Sequence, residues 1–184
     1  MPIQLEYEAK TMLQFIPIDQ DHWRYALQVS DEQKAFVSDE KGILARAFAH
    51  RNWNVHCCVL QAERSAQEEA AFRKRMLDAY GMEFPENEKG VPVGLILYYD
   101  LPEEGAYYLA QLLIDQKYQY QGYGKEAVAS AVDQLRKEKR YDKVLSCVLV
   151  KNKACRAMLE HMGWTLTDDS DPERDEELLY ELTL

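Results

Sequence analysis

The sequence predicts an α/β fold built on one mixed central sheet flanked by helices, and three observations carry that prediction. Val144–Val150 is almost continuously apolar, the mark of a strand covered on both faces. Val91–Asp100 and Ala106–Asp115 are strand-like runs joined by the turn residues Leu101–Gly105. After Gly124 the period changes from two to 3.6, with Ala127, Val128, Ala131, Val132 and Leu135 forming one apolar stripe. A chain of 184 residues suits a single domain, residues 1–184, with a full core.

The remaining elements follow in order. A first strand is expected at Leu13–Ile18, then a helix at Gln20–Val29. Ser30 and Gln33 have capping-box spacing, which predicts a second helix starting near Asp31. Within Ser38–Arg51, residues Ile43, Leu44, Ala47 and Phe48 recur at helical spacing. Asn54–Ala62 reads as a strand. Ser65 and Glu68 form another capping box, opening a charged helix that stops at Gly81. This helix and the loop after it look like an excursion inserted between two strands. Beyond Val150, a short helix is expected over Asn152–Met162, ended by Gly163. Strands at Trp164–Thr167 and Leu178–Leu184 complete the chain, separated by a strongly acidic loop. No internal repeat, low-complexity tract or Gly/Ser linker divides it.

Composition narrows the function classes. Apolar residues make up 47% and charged residues 29%, the proportions of an ordinary globule. The longest apolar run, near Val91–Tyr99, is far short of the ~20 residues a membrane-spanning helix needs. The N-terminus has no basic patch leading into an apolar segment, so a cytoplasmic location is expected. The net charge of −10 repels nucleic acid and draws cationic ligands, although an acidic surface also simply aids solubility. Four cysteines (Cys57, Cys58, Cys147, Cys155) show no C-x-x-C pair, and four histidines are scattered. Reduced, buried thiols and no metal are the expectation.

The informative segment is Gln111–Ala127. A buried strand runs into Gln119, Tyr120, Gln121, Gly122, Tyr123 and Gly124, and a helix starts at once. Two glycines there allow a tight turn with amides directed inward. The unpaired N–H groups and partial positive charge of the helix start add to them, which makes a diphosphate site. Lys125 offers a further charge. The spacing does not fit a P-loop, since Glu126 stands where Ser or Thr would hold magnesium. A dinucleotide fingerprint fits the letters, yet the next strand ends in Val150 and Lys151, with no acid for a ribose. A ligand-free structural turn is the remaining alternative.

In this strand–turn–helix setting, Gln119–Gly124 resembles the acetyl-coenzyme A signature of the GNAT superfamily of N-acetyltransferases. Asn152 stands where that superfamily places an asparagine against the cofactor's pantetheine arm, and Gly163-Trp164 where it shows Gly-Phe. A narrower resemblance joins Leu27, Val29, Gln33, Phe36 and Val37, then Leu44, Ala45 and Ala47, to the entry region of bacterial diamine and spermidine N-acetyltransferases. Residues Ile114–Gln119 resemble their cofactor strand, although that family tends to have arginine at the position of Gln111.

The resemblance implies acetyl-coenzyme A as cosubstrate, lying in a splay between two parallel strands, with a backbone N–H of Leu112, Leu113 or Ile114 polarising the thioester carbonyl. The expected cofactor contacts are therefore Leu112–Ile114, Gln119–Lys125 and Asn152. It further implies transfer of acetyl to a primary amine on a small cationic acceptor such as a polyamine or diamine, and a homodimer by analogy. A lysine-like amine with a pKa of ~10.4 is neutral in about one molecule in a thousand near neutrality, so losing its proton costs ~4 kcal/mol unless the site accepts it. The position matching one known carboxylate base is Ala110, and the position of the usual tyrosine acid is Leu159. Asp100, Glu103, Glu104 and the acidic C-terminal loop are candidate bases by charge alone. Tyr98, Tyr99, Tyr108 and Tyr123 are candidate acids, and no catalytic residue is assigned. Ala110 and Leu159 also admit a non-catalytic acyl-coenzyme A-binding module, and an acidic groove suits a protein amine or an aminoglycoside as acceptor.

Overall fold

A computed structural model describes residues 13–20, 23–84, 89–171, 173 and 175–184. Seven strands form one sheet. They are β1 (Leu13–Pro17), β2 (His56–Ala62), β3 (Val91–Leu101), β4 (Ala106–Ile114), β5 (Lys143–Leu149), β6 (Thr165–Leu166) and β7 (Glu177–Thr183), in spatial order β1-β2-β3-β4-β5-β7-β6. Four α-helices accompany them: α1 (Glu40–Ala49), α2 (Ala66–Tyr80), α3 (Tyr123–Glu138) and α4 (Lys153–His161). Every neighbouring pair is antiparallel except β4 and β5, which run parallel, so the expected mixed sheet is present. Among the described residues no helix is long and apolar enough to cross a membrane.

The core sits on both sides of β3, whose residues from Val91 to Asp100 are all buried. Gly94 is required there, because an added Cβ would fall 2.3 Å from the Leu113 carbonyl oxygen of β4. On one face α3 buries Ala127, Val128, Ala131, Val132 and Leu135, the stripe read from the sequence, together with Tyr123. Each larger member of that stripe stabilises the fold by ~1.5–3 kcal/mol. On the other face α1 contributes Ile43, and its Asp39 carboxylate caps the Gly42 amide. Helix α2 has the expected Ser65 cap on the Glu68 amide, buries Phe72 and Met76, and lends Glu69 to the Gly90 amide. The excursion is thus an integral layer.

Three expectations require correction. Residues 23–29 of the helix expected at Gln20–Val29 are coil, and positions 21 and 22 lie outside the described residues. The amides that a helix would use are taken by distant carboxylates: Glu40 accepts from Tyr25 and Leu27, and Asp115 from Gln28. Ser30 and Gln33 do form the reciprocal capping box, yet it opens a single 3-10 turn, Gln33–Ala35. Finally, Cys147 is exposed, so not all four thiols are buried.

Candidate active site

Strands β4 and β5 pair at Tyr107–Val144 and Tyr108–Leu145 and then part. The cause lies in β4. Leu97 of β3 faces Gln111 while Tyr98 faces Leu109, which leaves Ala110 as the extra residue of a bulge. Where the ladder ends, the buried Ser146 hydroxyl donates to the Leu109 carbonyl at 3.0 Å, satisfying a group that β5 no longer reaches. Beyond it opens a cleft of about 190 Å³.

The cleft passes through the sheet. From the α3/α4 side it is lined by Leu112, Val128, Val148, Cys155, Met158 and Leu159, and from the α1 side by Val37, Arg46, Tyr108, Gln111, Cys147 and Glu177. The two sides follow from strand alternation: Tyr98 reaches Gln134 of α3, whereas Tyr99 reaches Arg46 of α1. Their β4 partners Leu109 and Tyr108 divide in the same way.

Of the sequence-predicted residues, Leu112 and Asn152 line this cleft, and the others follow Leu112 along β4 and the turn into α3. The Asp115 amide donates to Val93, so by alternation the amides of Gln111 and Leu113 also point at β3, and those of Leu112 and Ile114 point toward the splay. Leu113 is fully buried and its amide is turned away from the cleft. The Ile114 carbonyl accepts from the Gln33 and Gln119 side chains, each at 3.2 Å, which ties the 3-10 turn and the glycine turn to the end of β4. Gln121 donates to the Lys117 carbonyl. Two residues of the turn are left-handed: Tyr120 (φ 59°), almost fully exposed, and Gly122 (φ 89°), the N-cap of α3. Gly124 lies inside the helix, not in the turn; a Cβ there would sit 3.6 Å from Met158 and 3.8 Å from Ile114 and Leu112. The start of α3 therefore closes over both walls of the cleft.

Among the described residues, the amides of Gly122, Tyr123, Gly124 and Lys125 have no protein acceptor. Four adjacent donors at the positive end of a 16-residue helix fit an anion such as a diphosphate. Lys125 is exposed beside them. Arg64 bonds Glu68 at 3.0 Å and the Tyr123 hydroxyl at 3.1 Å, and Lys117 lies 3.6 Å from Glu68. Glu126 is turned elsewhere and accepts from the Leu13 amide at 2.8 Å, fastening β1 to α3. Asn152 lines the cleft and caps α4 through the Cys155 amide, while its side-chain N–H₂ group has no protein acceptor among the described residues.

The candidate bases and acids separate equally clearly. Asp100 is buried against Arg140 at 2.9 Å, and Glu103 and Glu104 occupy the 3-10 turn after β3, outside the cleft. Glu177, from the acidic loop, is the one carboxylate among the cleft's described lining. Of the four tyrosines, Tyr98 is bonded to Gln134, Tyr99 to Arg46 and Tyr123 to Arg64; Tyr108 lines the cleft. Burial, aided by a hydrogen bond with Cys147, pushes the Tyr108 hydroxyl well above its ordinary pKa, so it stays protonated. Leu159 is buried and lines the cleft where the usual acid would stand. Burial also pushes the Cys155 thiol up to about 11, which keeps it protonated near neutral pH. Sequence reasoning missed Arg46 and the special place of Glu177. Neither belongs to a local motif, and the fold alone brings them to one cleft.

Comparison with known proteins agrees with this geometry. The profile of the acetyltransferase (GNAT) family matches residues 48–164, more than half of the chain. No curated protein matches by sequence. Among solved structures, the chain is similar to an acetyltransferase from Agrobacterium tumefaciens (16% identity, TM-score 0.62, covering 94% of this chain and 91% of that one). It is also similar to a spermidine N-acetyltransferase chimera from Vibrio cholerae and hSSAT (12%, TM-score 0.59, 94% and 95%). A third likeness is to the NatC complex bound to Gag peptide and CoA (15%, TM-score 0.59, 94% and 98%). At these identities the structures attest the fold alone. With its family profile, its splayed parallel strand pair and its open amide turn, the chain belongs to the acetyltransferase (GNAT) family and is an acetyltransferase that uses acetyl-coenzyme A.

Proposed function

We propose that the 184 residues act as one catalytic domain that transfers acetyl to the primary amine of a small acceptor, with the acceptor entering from the α1 side. The observation that carries this reading is the through-sheet cleft, whose Leu112 and Met158 lie beside the start of α3 on one side and which is lined by Arg46, Tyr108 and Glu177 on the other. Acetyl-coenzyme A supplies an activated acetyl thioester. In this reading the amides of Gly122–Lys125 hold its diphosphate, and the side-chain N–H₂ group of Asn152 reaches the pantetheine arm. Gln119 acts by tying the glycine turn to Ile114, whereas Tyr120 and Gln121 contribute backbone shape.

The amide of Leu112 or Ile114 is the donor for the thioester carbonyl, and a donor aimed at developing negative charge is worth ~3–4 kcal/mol. Leu113 is left out of that role by its orientation. Glu177 accepts the amine's proton, directly or through water, and Tyr108 serves as a proton donor from the sheet in place of the absent tyrosine at Leu159. The net charge and the entry-region resemblance support a polyamine or diamine as acceptor. The cleft itself carries one carboxylate and one guanidinium, which widens the class to amines bearing an anion.

The test is thiol release from acetyl-coenzyme A with polyamines, diamines, amino acids and aminoglycosides in turn. Release above background with at least one amine is expected. Coenzyme A binding without release for any of them overturns the proposal.

A further inference from the structure

We infer that the acceptor is zwitterionic, a primary amine on a molecule that also carries a carboxylate, and that Arg46 is the residue that reads the carboxylate. The inference rests on the primary-amine reading above and narrows it.

Of the side chains that line the cleft, two are charged: Arg46 from α1 and Glu177 from the start of β7. Both lie on the α1 side. They are not bonded to each other, and among the described residues neither has an oppositely charged partner. An exposed glutamate without a partner is ordinary. A half-buried arginine without a carboxylate is not, least of all in a chain with 32 acidic residues against 22 basic ones. The polar groups that face Arg46 are hydroxyls instead. Tyr99 accepts from its guanidinium at 3.3 Å, and the Tyr108 ring lies 5.9 Å from it.

The arginine is also held in place. The Tyr99 ring stacks on His50 at 4.6 Å, meets Trp53 at 5.9 Å and packs against Tyr108 at 5.5 Å. His50 is in turn fixed by its ring nitrogen on the Arg46 carbonyl at 2.9 Å. An aromatic shelf thus presents a pre-oriented planar cation to the cleft, and a guanidinium of that kind matches a carboxylate with two parallel hydrogen bonds.

Charge arithmetic selects the class of acceptor. A polyamine would bring an ammonium against a guanidinium that nothing neutralises, a like-charge contact that works against binding. A phosphate dianion would exceed the single positive charge on offer, with Glu177 on the same side. A carboxylate at Arg46 and an ammonium toward Glu177 match both groups at once.

The experiment uses matched pairs that differ by one carboxylate: lysine with cadaverine, ornithine with putrescine, and alanine with ethylamine. Acetyl transfer is measured for the wild-type chain, Arg46→Gln and Arg46→Lys, and coenzyme A binding is followed by calorimetry on the same samples. For at least one pair, the wild type is expected to favour the amino acid at least tenfold in kcat/KM. Arg46→Gln removes that preference, chiefly through KM of the amino acid, and Arg46→Lys keeps part of it. A wild-type preference for the decarboxylated amine overturns the Arg46 assignment while leaving acetyl transfer to amines intact. So does an Arg46→Gln loss that is equal for both members of a pair, since that is the result of a purely structural arginine. If Arg46→Gln no longer binds coenzyme A, the wild-type preference alone decides. If no amine releases thiol while coenzyme A binds, the acceptor reading fails and this inference fails with it.

Discussion

The two sides of the cleft are built in different ways. On the proposed cofactor side the groups on offer are backbone amides, held by the left-handed Gly122, the first turn of α3 and the edge of β4. On the proposed acceptor side they are side chains that line the cleft from three separate elements, Arg46 of α1, Tyr108 of β4 and Glu177 of β7. A backbone site is written into a few adjacent letters, because a turn and a helix start are local. A side-chain site assembled from residues as far apart as 46 and 177 has no local signature.

The contrast can be broken at the turn first. Gly122→Val forces a β-branched residue into a left-handed conformation at a cost of ~2 kcal/mol, although a Cβ there meets no protein atom within 4 Å. We expect coenzyme A affinity to fall about 30-fold by calorimetry. An unchanged affinity would mean that the turn does not bind.

The next effect is at the point where β4 and β5 part. Ser146→Ala leaves the buried Leu109 carbonyl unsatisfied, and a loss of ~1.5 kcal/mol in denaturant unfolding is expected with an unchanged m-value.

A smaller effect tests the division between cleft and scaffold. Asp100→Asn weakens the pair with Arg140, whose side chain is 39% exposed, so the stability loss is held to about 1 kcal/mol or less by solvent screening. Its kcat should stay within about threefold of the wild type, and a far larger drop would restore Asp100 as a base.

The smallest effect concerns the entry segment. Burial raises the pKa of Glu40 against the opposing pull of the Tyr25 and Leu27 amides. A raised carboxylate pKa means that the folded chain holds the proton more tightly, so its contribution is full below the ordinary carboxylate range and is lost as pH rises through the raised value. The stability difference between wild type and Glu40→Gln should therefore shift against the wild type as pH rises through and above the ordinary carboxylate range. A flat difference would contradict the burial of that carboxylate.

What could be read from the sequence follows the same division. The apolar stripe of α3, the Ser65 cap of α2 and the strands β3 and β4 are set by residues a few positions apart, and they stand where the sequence placed them. The helix expected at Gln20–Val29 is lost because carboxylates 13 and 87 positions away take the amides of Leu27 and Gln28. The bulge at Ala110 is equally hidden, since it exists in the register with β3 and not in the letters of β4. The glycine turn was found by its pattern, yet its second left-handed residue is Tyr120, which no glycine rule would have picked.

The most direct measurement is the backbone amide NMR spectrum of the ¹⁵N-labelled chain, titrated with coenzyme A and separately with pantetheine, which lacks the diphosphate. The amides of Gly122, Tyr123, Gly124 and Lys125 should move strongly with coenzyme A and stay nearly still with pantetheine. If coenzyme A binds while those four resonances remain in place, the anion site lies elsewhere and the account of this cleft is wrong.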